Sequence, residues 1–344
     1  MSDVIEKTLH FEKRKQDHIR LSLDDSSQSS HRSDWERFRL QHNAFPEINF
    51  KEVDISTSFF SQKLSAPFFI SSMTAGHTDG VEINRRLTRI SHEKQILMGL
   101  GSQRRELNDP TVQNEWKDLR SQYPKALWLS NIGLAQVIQN SPSSILKILD
   151  STQSLGLIVH TNPLQEALQV EGTTNFKGGL EALEKLVKAC DRPVIVKEVG
   201  SGFSLQNLKS LESLGVAAVD LSGRSGTHWG RIEGLRSQDS AIEKASATFM
   251  NWGSFALDTL CEAKQQSVKI PLWVSGGVRN GLQVATSLAL GADLVGLAQP
   301  WLKAAVTSEL ELDCVYRQLE LELKTSLFCT GSQNIKAIQG KAQY

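Results

Sequence analysis

Residues 160–166, HTNPLQE, place His160, Asn162, Gln165 and Glu166 within seven positions, directly behind the apolar run GLIV. Polar side chains gathered at the carboxyl end of a buried strand are the usual raw material of a site in α/β proteins. An Asn-Pro turn with a surface glutamate is the structural alternative. A second group lies late in the chain, where SGGVRNG (275–281) and GLAQP (296–300) follow apolar runs. Glycines at such points let backbone N–H groups approach an anion closely, and Arg279 adds charge, which suits a phosphate. Tight turns at Gly276, Gly277 and Gly281 are the plainer reading. A third candidate is Lys197 in VKEVG. Buried at a strand end, it would stabilise negative charge on a bound group; the alternative is an ion pair with Glu198.

These residues need elements to hold them. Short, almost continuously apolar runs recur at 66–73, 96–102, 126–133, 156–162, 193–200, 217–223, 271–278 and 294–300. That pattern predicts strands buried on both faces. Amphipathic stretches such as GLEALEKLVKAC lie between most of them, which predicts βαβ units and a parallel sheet. Eight such runs are the number that closes a (β/α)8 TIM barrel. A doubly wound sheet also fits the alternation, but the strand number and chain length favour the barrel. Every run ends in small, polar or charged residues, and a barrel gathers all eight ends on one rim, where barrel active sites sit. This convergence predicts an enzyme. A flat cofactor with a phosphate tail suits such a rim: SSMTAG supplies hydroxyls, and a buried Lys197 would stabilise negative charge such as that on N1 and O2 of a reduced flavin.

Residues 1–60 differ from the rest, with many charges and the segment SLDDSSQSSHRSDW. They predict a helix near 3–20, a mobile or loop segment near 22–33, and an extension closing over the substrate, with the barrel spanning 61–344. The gap between DLSG and PLWV predicts a long Gly/Ser-rich loop and one extra helix, and the C-terminal ELELDCVYRQLELELKTSLFCTG a closing helix.

The set SMTAGH, GLGSQR, SNIG, HTNPLQE, VKEVG, DLSGRSGTHW and SGGVRNGLQVATSLALGADLVGLAQP, in this order, resembles the type 2 isopentenyl-diphosphate isomerases, FMN-dependent barrel enzymes. RKQDHI near the N-terminus and LFCTGSQNI near the C-terminus extend the resemblance over about residues 12–340. The chain departs from that family at Ala75-Gly76, where two glycines are usual, and at Ser225-Gly226-Thr227, where Gly-Gly-Thr is usual. The resemblance implies interconversion of isopentenyl and dimethylallyl diphosphates with Mg²⁺, with NADPH to reduce the flavin, in a homotetramer or homooctamer. It implies flavin contacts at Ser72, Met73, Thr74, Ser102, Asn131, Lys197, Ser222, Thr227, Gly277, Val278, Arg279, Ala298 and Gln299. It implies substrate contacts at Arg14, Lys15, Ser102, Gln103, Arg104, His160, Asn162 and Gln165, with Gln165, Lys197 and His160 in catalysis and Glu166 on the metal. The chemistry of the residues agrees. A diphosphate needs cations, and arginine suits phosphate through its forked donors. Mg²⁺ takes one or two carboxylates together with phosphate oxygens and water, and Glu166 supplies one. His160 and Asn162 point the same way in an extended segment and reach one ligand.

Two other readings share the barrel. A flavin-dependent hydroxy-acid oxidoreductase wants a histidine base near the late strands, and no histidine follows His228. A non-catalytic flavin or phosphometabolite binder leaves the 160–166 cluster unexplained. Lys+Arg and Asp+Glu both number 38, so the zero formal net charge argues against a nucleic-acid surface. No apolar run is long enough to span a bilayer. The polar first twenty residues predict no signal peptide, and four scattered cysteines without C-x-x-C predict reduced thiols; a cytoplasmic protein is expected.

Overall fold

The computed structural model describes residues 2–29, 32–73, 78–107, 109 and 112–343. Eight parallel strands close into a barrel: β1 (Phe68–Ile70), β2 (Leu97–Gly99), β3 (Leu127–Gly133), β4 (Gly156–His160), β5 (Val194–Lys197), β6 (Ala218–Asp220), β7 (Leu272–Val274) and β8 (Leu294–Leu297). Each falls inside one of the apolar runs of the sequence. Their residues are buried on both faces because alternate side chains serve two cores. The inner core is Phe69, Leu97, Leu129, Ile158, Ile195, Trp273 and Leu294. The outer core, between strands and helices, includes Phe68, Trp116, Trp128, Val196, Leu260 and Trp301. A hairpin pairing Thr57–Phe59 with Gln62–Leu64 plugs the amino-terminal end, where the Phe59 ring meets Trp273 edge-on at 5.5 Å.

Helix α1 (Ser2–Leu23) outruns the stretch expected from sequence, and Leu21 and Ser22 at its end are buried. At the carboxyl rim, β4 hands over to the short helix α2 (Pro163–Leu168), with Asn162 as its cap residue and Pro163 at its first position. The long gap after β6 holds three helices where one extra was expected; the first, α3 (Trp229–Arg236), lies against α2 and α1. After β7 comes α4 (Gly281–Ala289), capped by Asn280, and the closing helix is α5 (Glu309–Cys329).

The segment after α1 is more tightly held than a loop reading implies. The Ser29 N–H donates to Gly226 O at 2.8 Å, the His228 N–H donates to Ser27 O at 2.8 Å, and Gln28 bridges Thr227. Residues 25–29 thus form a strap across the late loops. Further on, Arg39–Leu40 pairs with Ala342–Gln343, and the Asn43 N–H donates to Cys329 O, so both ends of the chain close on one side of the barrel.

Candidate active site at the carboxyl rim

Two cavities share the rim. The first is lined by Ser71, Ser72, Met73, Lys197, Ser222, Thr227, Ser275, Gly277, Val278, Arg279, Ala298 and Gln299, with Lys15, His18 and Trp229 above. The second is lined by Arg14, Lys15, Ser102, Arg104, Arg105, Asn131, His160, Asn162, Gln165 and Glu166. Ser72, Met73, Lys197, Val199, Lys15, His18 and Trp229 border both, so a flat ring in the first has one face or edge open to the second. Of the residues expected at a site, Gln103 faces neither. It is fully buried, its Oε1 accepts from the Asn131 N–H at 3.2 Å and its own N–H donates to Asn131 O. It braces Asn131 from behind. Thr74 lies outside the described residues.

The first cavity suits a phosphate-tailed ring. The Ser71 and Ser72 hydroxyl oxygens are buried there without a hydrogen-bond partner among the described residues. Such groups are costly unless a ligand supplies the partner. Gly277 adopts φ +81°, and a Cβ there would stand 2.4 Å from Ser225 O, so only glycine permits the turn beside Arg279. The Arg279 guanidinium donates to Gln28 Oε1 at 3.0 Å, and Gln28 in turn donates to Ser22 O. The strap thereby closes the end of the cavity bordered by Thr227 and Arg279.

In the second cavity the polar cluster of 160–166 is one network. The Asn162 amide donates to Gln165 Oε1 and to Glu166 Oε1, both at 3.0 Å, because an N-cap side chain reaches the residues three and four positions on. The Thr173 N–H donates to Glu166 Oε2. The Gln165 amide nitrogen donates to Glu233 Oε1 at 2.8 Å. Both ends of the Gln165 amide are therefore clamped. The helix beginning at Pro163 puts Gln165 and Glu166 on its first turn.

Glu233, on α3, was not apparent from the sequence. Its side chain is fully buried, and its oxygens meet His18 Nε2 of α1 at 2.9 Å and Arg236 Nη1 at 2.5 Å. The Gln169 amide completes the set, with its nitrogen 3.2 Å from Glu233 Oε1 and its oxygen 3.2 Å from Arg14 Nη1. Burial alone would push this carboxyl up, but the His18 hydrogen bond and charge, Arg236 and the Gln165 amide hold it at about 2. Burial pushes His18 itself below its usual range despite Glu233. At neutral pH the contact is therefore an imidazole N–H donating to a carboxylate, and Arg236 supplies the balancing charge.

His160 stands where expected but in a definite chemical form. The Asn131 amide nitrogen donates to Leu100 O at 3.0 Å, so its oxygen is the atom 2.8 Å from His160 Nδ1. Nδ1 must carry the proton, which leaves Nε2 a bare acceptor. Burial, with Lys197, Lys15 and Arg104 nearby, lowers the imidazole to about 3. His160 is thus neutral and adds no charge of its own for an anion. Lys197 also differs from the plain ion-pair reading. Its ammonium donates to Ser222 Oγ at 3.1 Å and to Glu198 O at 2.5 Å, while the Glu198 carboxylate accepts backbone N–H groups from Val199, Gly200, Ser201 and Gly202.

A closed parallel barrel with an anion-ready late rim and a buried lysine beneath a ring-sized cavity defines a flavin-binding class of barrel. The chain matches the FMN-dependent dehydrogenase family model over residues 109–343. It also resembles a flavocytochrome b2 variant with benzoylformate (TM-score 0.68, 17% identity, 93% of this chain and 79% of that one). An (S)-mandelate dehydrogenase mutant gives a TM-score of 0.66 at 17% identity, over 93% and 92% of the two chains. At those identities the likeness is one of fold. Sequence is more specific. An isopentenyl-diphosphate delta-isomerase of Bdellovibrio bacteriovorus is 52% identical over 98% of each chain. One of Legionella pneumophila (strain Corby) is 47% identical over 96% of this chain and 97% of that one, and one of Nostoc is 38% identical over 95% and 93%. The chain belongs to the isopentenyl-diphosphate delta-isomerase family, and its cofactor is FMN.

Half-buried Lys15 carries a measurable signature. Burial, then Arg14 and Arg104, lower its ammonium to about 7. At pH 8 most of it is neutral, and a bound polyanion reverses the balance by favouring the charged form. Binding of inorganic pyrophosphate at pH 8 is expected to take up about one proton more in the wild type than in Lys15→Met. Calorimetry in buffers of different ionisation enthalpy reads this directly; equal uptake would remove Lys15 from the anion site.

Proposed function

We propose that the protein interconverts isopentenyl diphosphate and dimethylallyl diphosphate by a 1,3-allylic shift, using reduced FMN and Mg²⁺, with NADPH as reductant, in isoprenoid biosynthesis. The observation that carries this reading is the placement of a cationic, amide-rich subsite directly against the flavin cavity, across a shared wall of Met73, Lys197 and Trp229. The names of the relatives point the same way.

The diphosphate would lie among Arg14, Lys15 and Arg104, beside the Asn162 amide that orders Gln165 and Glu166. Among the described residues no three His, Cys, Asp or Glu side chains gather as a protein-only metal site. A lone carboxylate suits Mg²⁺ held jointly by Glu166 and phosphate oxygens. When bound, reduced FMN supplies an electron-rich ring that stabilises developing positive charge on the alkene and exchanges protons with it. Gln165, clamped at both ends, is a weak acid and base and fixes the alkene's position. Lys197 holds its ammonium at the ring side of the shared wall. Trp229 and His18, packed edge-on with centroids 5.2 Å apart, exclude water from above. His228 supplies no base to either cavity: its Nδ1 caps α3 by accepting from the Arg231 N–H at 2.9 Å. That disfavours hydroxy-acid oxidation of the kind named for the structural neighbours. A homo-oligomer in the cytoplasm completes the proposal; among the described residues no helix is long and apolar enough to cross a membrane.

Substrate and product share one oxidation level, so reductant only primes the cofactor. Bound FMN is reduced anaerobically with about one equivalent of dithionite, and excess isopentenyl diphosphate is added without NADPH. Many turnovers are expected while the flavin stays reduced, with deuterium entering dimethylallyl diphosphate in D₂O. One turnover per flavin with flavin reoxidation would mark an oxidoreductase instead. In the same assay Glu166→Gln should slow turnover at least about a hundredfold and abolish its Mg²⁺ dependence with FMN still bound, as expected for a metal ligand; full activity would free Glu166 from that role.

A further inference from the structure

Lys197 lines the flavin cavity, and two further ionisable side chains, Glu198 and Asp220, are buried behind that lining, next to Lys197 in sequence and on the neighbouring strand respectively. Glu198 is committed to four backbone N–H groups of the turn that follows it. Asp220 is not so committed. Its Oδ1 accepts from Ser275 Oγ at 2.7 Å, but its Oδ2 is buried without a hydrogen-bond partner among the described residues. A bare carboxylate oxygen in a dry interior is costly. It persists here beside a cation: Lys197 and Asp220 are register partners on neighbouring strands β5 and β6, so their side chains project side by side. Ser222 and Ser275, which contact Lys197 and Asp220 respectively, both line the cavity. The other charged or titratable groups that line it are further round: Arg279 is held by Gln28 at the strap, and Lys15 and His18 come from α1.

We propose that Asp220 is a positioning residue for the reaction: as the counter-charge of Lys197, it cancels that lysine's field at the bound flavin and keeps the N1 proton on the reduced ring. The inference rests on the isomerase reading, in which the reduced ring must carry a proton to exchange. A reduced flavin ionises at N1 near neutral pH. An uncompensated buried ammonium beside N1 and O2 would favour the anion, because Coulomb interactions in a dry cavity are poorly screened. The Glu198 charge is already met by four backbone N–H groups, so Asp220 is the carboxylate left to offset Lys197, and the ring retains its proton. Burial pushes the Asp220 carboxyl up and the Lys197 ammonium down, and each counteracts the shift of the other. The cost of the bare oxygen is thereby offset by the cation on the neighbouring strand.

The test uses FMN-loaded full-length protein reduced anaerobically, with absorbance reporting neutral against anionic reduced flavin at a fixed pH near 7. Asp220→Asn, which keeps the shape and removes the charge, should lower the neutral-to-anionic ratio about tenfold, one unit of pKa. Lys197→Met should raise the ratio, and in that background Asp220→Asn should have a much smaller effect. Asp220→Glu, which keeps the charge, should hold the ratio near the wild-type value. An unaltered ratio in Asp220→Asn overturns the proposal, as does an equal shift in Asp220→Glu, which would show a purely structural role. If Asp220→Asn does not fold, Asp220→Ser removes the same charge and is read the same way. Wild-type protein that takes up no FMN would defeat the flavin reading and this inference together. Wild-type protein that isomerises normally, with a spectrum indifferent to Asp220, defeats this inference alone.

Discussion

A single carboxylate removed from water organises the rim. Glu233 has no solvent to stabilise its charge, so every partner must come from the protein, and the partners lie on different elements. His18 is on α1, Gln165 on α2 and Arg236 on α3, with Gln169 just beyond α2. Meeting the needs of one buried charge therefore seats the N-terminal helix over the barrel, fixes one end of the Gln165 amide, and draws Arg14 toward the second cavity. Losing one partner of such a buried pair typically costs about 3–5 kcal/mol. The half-burial of Lys15 and the neutral state of His18 and His160 follow from the lid that this contact holds in place.

The barrel contributes what the lid cannot. Eight strands fix the directions of Ser72, Asn131, His160, Lys197 and Asp220, and the flanking layers of Phe69, Trp273, Trp128 and Trp301 leave those directions little freedom. Helix caps extend that precision into the loops: Asn162 orders Gln165 and Glu166, His228 starts α3, and Asn280 starts α4 behind the Gly276–Gly277 turn. The strap of residues 25–29 joins the two systems, since Gln28 touches Thr227 and Arg279 at the flavin end while Ser22 anchors it to α1.

Much of this was legible in the sequence because burial on both faces leaves continuous apolar runs, and each run of the chain became a strand. The polar strand ends were legible for the same reason, since side chains at a run's end cannot enter the core. What escaped depends on tertiary contact. Glu233 sits in GRIEG, where a glutamate reads as a solvated helix residue, and nothing local announces that His18, two hundred residues away, will meet it. Gln103 lies at a strand end like its neighbours yet turns inward, because Asn131 needs a brace. The Ser/Asp-rich segment after α1 reads as a loop, and tertiary pairing with Gly226, Thr227 and His228 orders its residues 27–29. His160 lines the second cavity, but its charge was not legible, because the tautomer is set by Asn131 and Leu100.

The most direct measurement of the central claim is hydrogen exchange along α1 in the FMN-loaded protein, comparing wild type with Glu233→Ala. If Glu233 holds the lid, the amides around Arg14–Ser22 are protected in the wild type and exchange at least about a hundredfold faster in the variant, corresponding to a loss of roughly 3 kcal/mol, while β1–β8 keep their protection. Equal protection of α1 in both proteins would contradict the account and leave the lid to be held by its apolar contacts alone.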